Sequence, residues 1–374
     1  MNDYSQGNKR KTSLDIAKGI AILSVMMVHF PREYRLFSTG ISYHVAIFFC
    51  VTGILLEKSV WSKEKNSLKR ETKKDFKRLI YPYIALSLIY IIVYSIKMAV
   101  LGEASGVQLF ISNNLFLTVS CLGIGTLWFL PVLFGGKILF RYIMRHWSKY
   151  SNIIMLTIGE SACIIAYILY KNGLTAQYDI SLRAILINWM IFGLEVCIAL
   201  PFMAWGNICW KNINVLKHIE KGNVIILVIA TILFGINAML FNNIYSGNDL
   251  HLAKMINIYG YYICAFLSVA AVLCFSVGIS KLKTFSNILS FAGRNSLIIM
   301  TTHLEYPVIS SVLFSFLKRS NNILVIKVGA YFSVCIIEIL ICIIVNKTLL
   351  QGIYIYEKSV FYYVQRKVKR KMAI

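Results

Sequence analysis

Charge is scarce in this chain. Asp, Glu, Lys and Arg together make up 15% of its 374 residues and mean hydropathy is +0.67, which excludes a soluble domain of this length. Paired cysteines are missing as well: the nine cysteines are scattered singly, mostly inside apolar runs, without zinc or redox spacing, and read as small core residues. No cluster has plausible metal-ligand spacing, so no metal is expected. The first apolar run is followed by another and lacks a small-residue cleavage site, so it reads as an anchor rather than a removable signal. DNA and RNA motifs are absent, and nucleic acid is not an expected partner. Without a Pro/Gly/Ser-rich linker or an internal repeat, the sequence reads as one domain over 1–374, with basic tails at 1–13 and 347–374 and a basic loop at 57–78.

What the chain has instead is long apolar runs. They recur at about 17 to 25 residues, enough for a helix to cross roughly 30 Å of hydrocarbon. They are continuous and rich in Leu, Ile, Val and Phe, whereas barrel strands would be short and alternating. The expected fold is an all-α polytopic bundle of about ten transmembrane helices, near 14–30, 41–56, 79–101, 126–143, 152–170, 184–206, 222–241, 257–279, 288–316 and 323–346. Asn113 and Asn114 interrupt a further stretch, 107–121, which reads as a re-entrant or interfacial element.

The formal charge of +23 lies mostly in clusters that alternate spans place on one side. Those clusters are Lys9 to Lys11, the 57–78 loop with nine basic residues, and Lys367 to Lys371. Positive residues stay inside, so both termini are expected in the cytoplasm, against anionic inner-leaflet lipid. The 57–78 loop should be helical, and Pro82 suits the first turn or a kink of the span it feeds. Lys77 and Arg78 are thereby held at the membrane surface, where a basic collar suits phosphates.

Lys18 and His29 stand eleven residues apart within the first run. About three helical turns put both on one stripe, roughly 16 Å apart, with Asp15 beside them. Ionisable groups at membrane depth suggest a functional site, although Asp15 and Lys18 marking the boundary and His29 capping the far end is an equally open reading. His29 is the best catalytic candidate, because an imidazole titrates near neutrality and can take a hydroxyl proton or carry an acyl group. Ser296 and His303 share a face but lie about 10 Å apart along the axis, which rules out a serine-hydrolase dyad. His303 and Glu305, well inside the ninth run, either line the site or do not. Trp128 reads first as an interfacial belt aromatic, and Arg294 as a cytoplasmic anchor. Glu160, Glu195 and Glu338 are expected to pair with Lys97, Lys137 or Lys327, and His44, His146, His218 and His251 read as loop or interface residues.

Six pieces then follow in order: LDIAKGIAIL (14–23) with His29, FFCVTG (48–53), KRLIYPY (77–83), LWFLPVLF (127–134), ALPFMAWG (199–206) and GRNSLII (293–299). This set resembles the acyltransferase-3 family of integral membrane acyltransferases, in its branch similar to fucose 4-O-acetylases and other polysaccharide O-acetyltransferases. The resemblance implies about ten helices in a bacterial cell membrane and an acetyl-CoA-dependent O-acetyltransferase acting on extracytoplasmic or lipid-linked glycans. It also implies a basic residue, ten positions and a histidine in the first helix, which fall on Lys18 and His29. The family often has Arg where Lys18 stands, and Ser where Thr52 stands.

On this reading Arg78, Lys77 and Arg294 hold the acetyl-CoA phosphates at the inner face. His29 then serves as base or acyl carrier near the outer end, and Trp128, His303, Glu305 and Asn295 line the acceptor side. Two rivals stay open on sequence alone. Buried Lys, His and Glu also build proton relays in transporters, and a polysaccharide export partner needs no catalysis.

Overall fold

The computed structural model describes residues 12–28, 39–60, 67–211, 223–245, 247–303, 329 and 331–347. His29, Glu305, His218 and Lys327 lie outside them. The described residues form helices and no strand. In chain order these are α1 (Thr12–Val28), α2 (Ala46–Val60), α3 (Ser67–Asp75), α4 (Tyr81–Val100), α5 (Val107–Val119) and α6 (Phe129–His146). Then come α7 (Ser151–Lys171), α8 (Leu182–Lys211), α9 (Asn223–Leu240), α10 (Ile258–Ile279), α11 (Lys283–Arg294), α12 (Ser296–Thr302) and α13 (331–347). Five of the described helical segments are long and apolar enough to cross a membrane, and Ala46–Leu56 and Val224–Leu240 are shorter apolar helices. The chain divides into two compact units, 1–296 and 297–374.

The surface of the first unit has the polarity expected of a protein dissolved in lipid. Ile84, Leu88, Ile92 and Ile96 on α4, Ile153, Ile164 and Ile168 on α7, and Val224, Val228 and Ile232 on α9 are all exposed. In water such faces would associate; in hydrocarbon they cost nothing. Lipid supplies no hydrophobic drive between helices, so close packing has to hold them together, and small residues permit it. A Cβ added to Gly53 would overlap the backbone of Met203 on α8, and one on Gly206 would overlap the backbone of Cys50 on α2. The two glycines thus make a reciprocal contact. Gly19 meets the carbonyl of Leu289, and Gly293 that of Asp15, so α1 and α11 are joined in the same way.

The described residues of the basic loop are helical, as its sequence suggests, and run without a break into the next apolar helix. Leu68–Val100 is one 33-residue helical stretch, in which a π-type turn at Phe76–Ile80 joins α3 to α4. Pro82 stands in the first turn of α4. It has no amide for the carbonyl of Arg78 four residues back, and the wider π turn gives its ring room.

Two expectations need correction. Asn113 and Asn114 do not interrupt helix: α5 runs through both, and Asn114 Nδ2 donates to the carbonyl of Phe110. At 13 residues, roughly 20 Å, α5 is nevertheless too short to span. The ninth run is not one continuous helix from 288. It breaks at Asn295 (φ −99°, ψ 10°), whose amide and side chain both bond to the carbonyl of Phe291.

Candidate functional site

At the start of α1, Lys18 Nζ lies 2.8 Å from Asp15 Oδ1, one turn back. Asp15 is buried and Lys18 partly so, which suits a cation in an apolar helix. The glycine contacts of Gly19 and Gly293 set this turn directly against the end of α11. Arg294, the next residue, is exposed and its guanidinium donates to Ser290 Oγ, while Asn295 is buried. The structure therefore brings Lys18, Arg294 and Asn295 to one place, a juxtaposition of residues 276 positions apart or more that spacing alone cannot give.

Lys77 and Arg78 occupy the π turn, exposed, with Phe76 packed edge-on against Phe134 of α6. What fixes the turn is the residue before it. Asp75 is buried between two cations of α6, pairing with Lys137 Nζ and, at 2.5 Å, with Arg141 Nη1. Glu71 approaches Arg141 at 4.0 Å. Lys137 was expected to pair with one of the lone glutamates; its partner is this aspartate of the basic helix. The expected partner of Lys97 also changes. Lys97 Nζ sits over the Tyr94 ring, and Glu338 accepts from the Thr302 hydroxyl within the second unit. Also in that unit, His303 is buried with Nδ1 2.8 Å from the carbonyl of Ile299.

Trp128 is not a lipid-facing belt residue. It ends a short 3₁₀ turn, Gly125–Trp128, and is buried. Gly123 (φ +73°) lets the turn fold onto the Trp128 backbone, where any side chain would collide. The indole stacks on the His251 ring, with centroids 4.6 Å apart and an angle of 16°. Nδ1 of His251 is 3.3 Å from Glu195 Oε1, and the same oxygen accepts from Leu252 N–H at 2.7 Å. This Trp–His–Glu group was not anticipated. The available signal was Glu195 itself, a carboxylate within an otherwise apolar run that had to find a partner.

Nearby, on the turn after α5, the Cys121 thiol is pushed up to about 11 by burial and by the charge of Glu195. The turn just before α2 is tied down by polar contacts: Tyr43 to Ser24, Ser42 to Ser268, and Asn237 Nδ2 to Ser42. Burial holds the Tyr43 phenol above its ordinary range, against the opposing effect of the Ser24 hydrogen bond. Among the described residues no group of three or more His, Cys, Asp or Glu could hold a metal ion.

Fold and buried charge together define a multi-pass helical membrane protein with buried ionisable pairs in its first unit. The family described as acyltransferase domain, acyltransferase-3, matches residues 11–347, nearly the whole chain. The chain belongs to that family and is a membrane acyltransferase. No curated protein and no solved structure matches it.

Proposed function

We propose that this acyltransferase moves an acetyl group from cytosolic acetyl-CoA to a hydroxyl of a surface or lipid-linked polysaccharide at a bacterial cell membrane. The observation that carries the reading is the foot of α1. Lys18, balanced by Asp15 and set against the helix that ends in Arg294, precedes His29 by eleven residues, a spacing that a helix places on one stripe. With the N-terminus cytoplasmic, Lys18, Arg294, Lys77 and Arg78 fall on the inner side. Exposed guanidinium and ammonium groups there suit the phosphates of a polyanionic donor. Asn295 adjoins Arg294 and by this orientation lies nearer the donor than the acceptor.

His29 then stands towards the outer end of the stripe, as base or acyl carrier, and Trp128, His303 and Glu305 are assigned to the acceptor side. The test is His29→Ala at unchanged membrane abundance. O-acetyl groups, measured by mass spectrometry, should vanish from the surface glycan while glycan amount stays constant. Normal acetylation would remove the assignment, and a halt in glycan export would favour transport instead.

A further inference from the structure

The Glu195 and His251 pair has the construction of an acid–base device. Glu195 is 1% exposed in the middle of an apolar helix, a costly place for a carboxylate without dedicated partners. It has two, and both come from one strained turn. Leu252 (φ 71°) and Ala253 (φ 47°) adopt left-handed conformations, which cost non-glycine residues about 1 to 3 kcal/mol each and persist where surrounding structure enforces them. That turn directs the Leu252 N–H and the His251 ring onto one carboxylate oxygen.

With Glu195 ionised its oxygen only accepts, so in that state Nδ1 of His251 donates to it and Nε2 presents its lone pair. Trp128 fixes the ring plane from one side, and the imidazole is still about a quarter exposed. Locking the tautomer and orientation of a histidine through a buried carboxylate is how a general base is prepared.

The device lies at the end of the first unit where α1 finishes. Its loop, between α9 and α10, is bonded to the turn just before α2 by Tyr245 Oη to the Ile41 carbonyl. Val28 closes α1, and His29 is the next residue in the chain.

We propose that His251, held by Glu195, takes the proton from the acceptor hydroxyl; this rests on the acyl-transfer reading and divides its labour between two histidines. The hydroxyl oxygen forms the C–O bond to the acyl carbon while its proton passes to His251 Nε2. The bond from the acyl carbon to its carrier breaks, and the electron pair stays on the thioester sulfur or on the His29 nitrogen. The carrier ends as thiol, after taking a proton from water, or as free imidazole. His251 returns its proton to water on the acceptor side. Glu195 is a positioning residue.

The experiment uses the full chain in sealed membrane vesicles supplied with acetyl-CoA and the glycan acceptor. Acetyl transfer by wild type, and its loss in His29→Ala, first establish the underlying reading; a failure there sinks that reading and not this one alone. Given that, His251→Gln should lower transfer about a hundredfold, the usual share of a general base. His251→Ala should regain activity when imidazole is added on the acceptor side and on that side only. Glu195→Gln, which can still accept from Leu252, should lose about tenfold, as for other outer residues that orient a histidine. Transfer by His251→Gln within threefold of wild type overturns the proposal. So does a loss in His251→Ala that imidazole does not restore, which marks His251 as structural.

Discussion

Gly293 rests on the carbonyl oxygen of Asp15, with no space between the two backbones for a methyl group. The contact fixes the height of α1 against α11, and with it the place of Lys18 relative to Arg294. Gly293→Ala should drive the helices apart, at about 1 to 3 kcal/mol for overpacking. A lowered melting temperature in detergent, with transfer activity falling further than abundance, is the expected result. An alanine variant of wild-type stability and activity would show that the approach is looser.

Asp75 is the anion that makes Lys137 and Arg141 tolerable inside the bundle. Removing one partner of a buried ion cluster costs about 3 to 5 kcal/mol, because the remaining charges are left uncompensated. Asp75→Ala should therefore unfold more readily, as judged by thermal melting. The pair Asp75→Asn with Lys137→Met should recover part of the loss.

Arg78 is exposed on the π turn and makes no comparable pair among the described residues. Arg78→Ala should leave folding intact and raise the acetyl-CoA concentration needed for half-maximal rate by about tenfold, the value of one charge-assisted hydrogen bond. Acceptor dependence should change little. A donor requirement equal to wild type would take Arg78 out of the site.

Cys121 provides a reporter on Glu195. Burial, and then the Glu195 charge, push its thiol up to about 11, so at pH 8 it should be almost wholly protonated and slow to react. With the other eight cysteines replaced, maleimide labelling should be slow at pH 8 and rise about tenfold per pH unit towards 11. Because the Glu195 charge is part of the cause, Glu195→Gln should speed labelling at a given pH. Rapid labelling at pH 8 with Glu195 in place would contradict the half-buried placement of Cys121.

Much of this architecture was legible because hydrocarbon imposes a simple rule on sequence. Runs such as 79–101, 152–170 and 257–279 match α4, α7 and α10 to within two residues, and the helical reading of 57–78 holds for its described residues. Where a single polar residue decides local geometry, the rule fails. Asn113 and Asn114 were read as breakers but are absorbed into α5, while Asn295, inside an apolar run, stops a helix by occupying the Phe291 carbonyl twice.

Pairings were the least legible part. Asp75 meets Lys137 across 62 positions and Glu195 meets His251 across 56, and neither has a periodic signature. The turn that delivers His251 uses Leu252 and Ala253 at positive φ, where a sequence reader looks for Gly or Asn.

The unbroken passage from α3 into α4 has a mechanical consequence. Thirty-three residues of helix measure about 50 Å, against roughly 30 Å of hydrocarbon. Some 20 Å of this rod must stand among headgroups and water, like the handle of a lever whose blade is sunk in the bilayer. A thicker or thinner membrane that changes the lean of the blade will swing Lys77 and Arg78 across the inner surface.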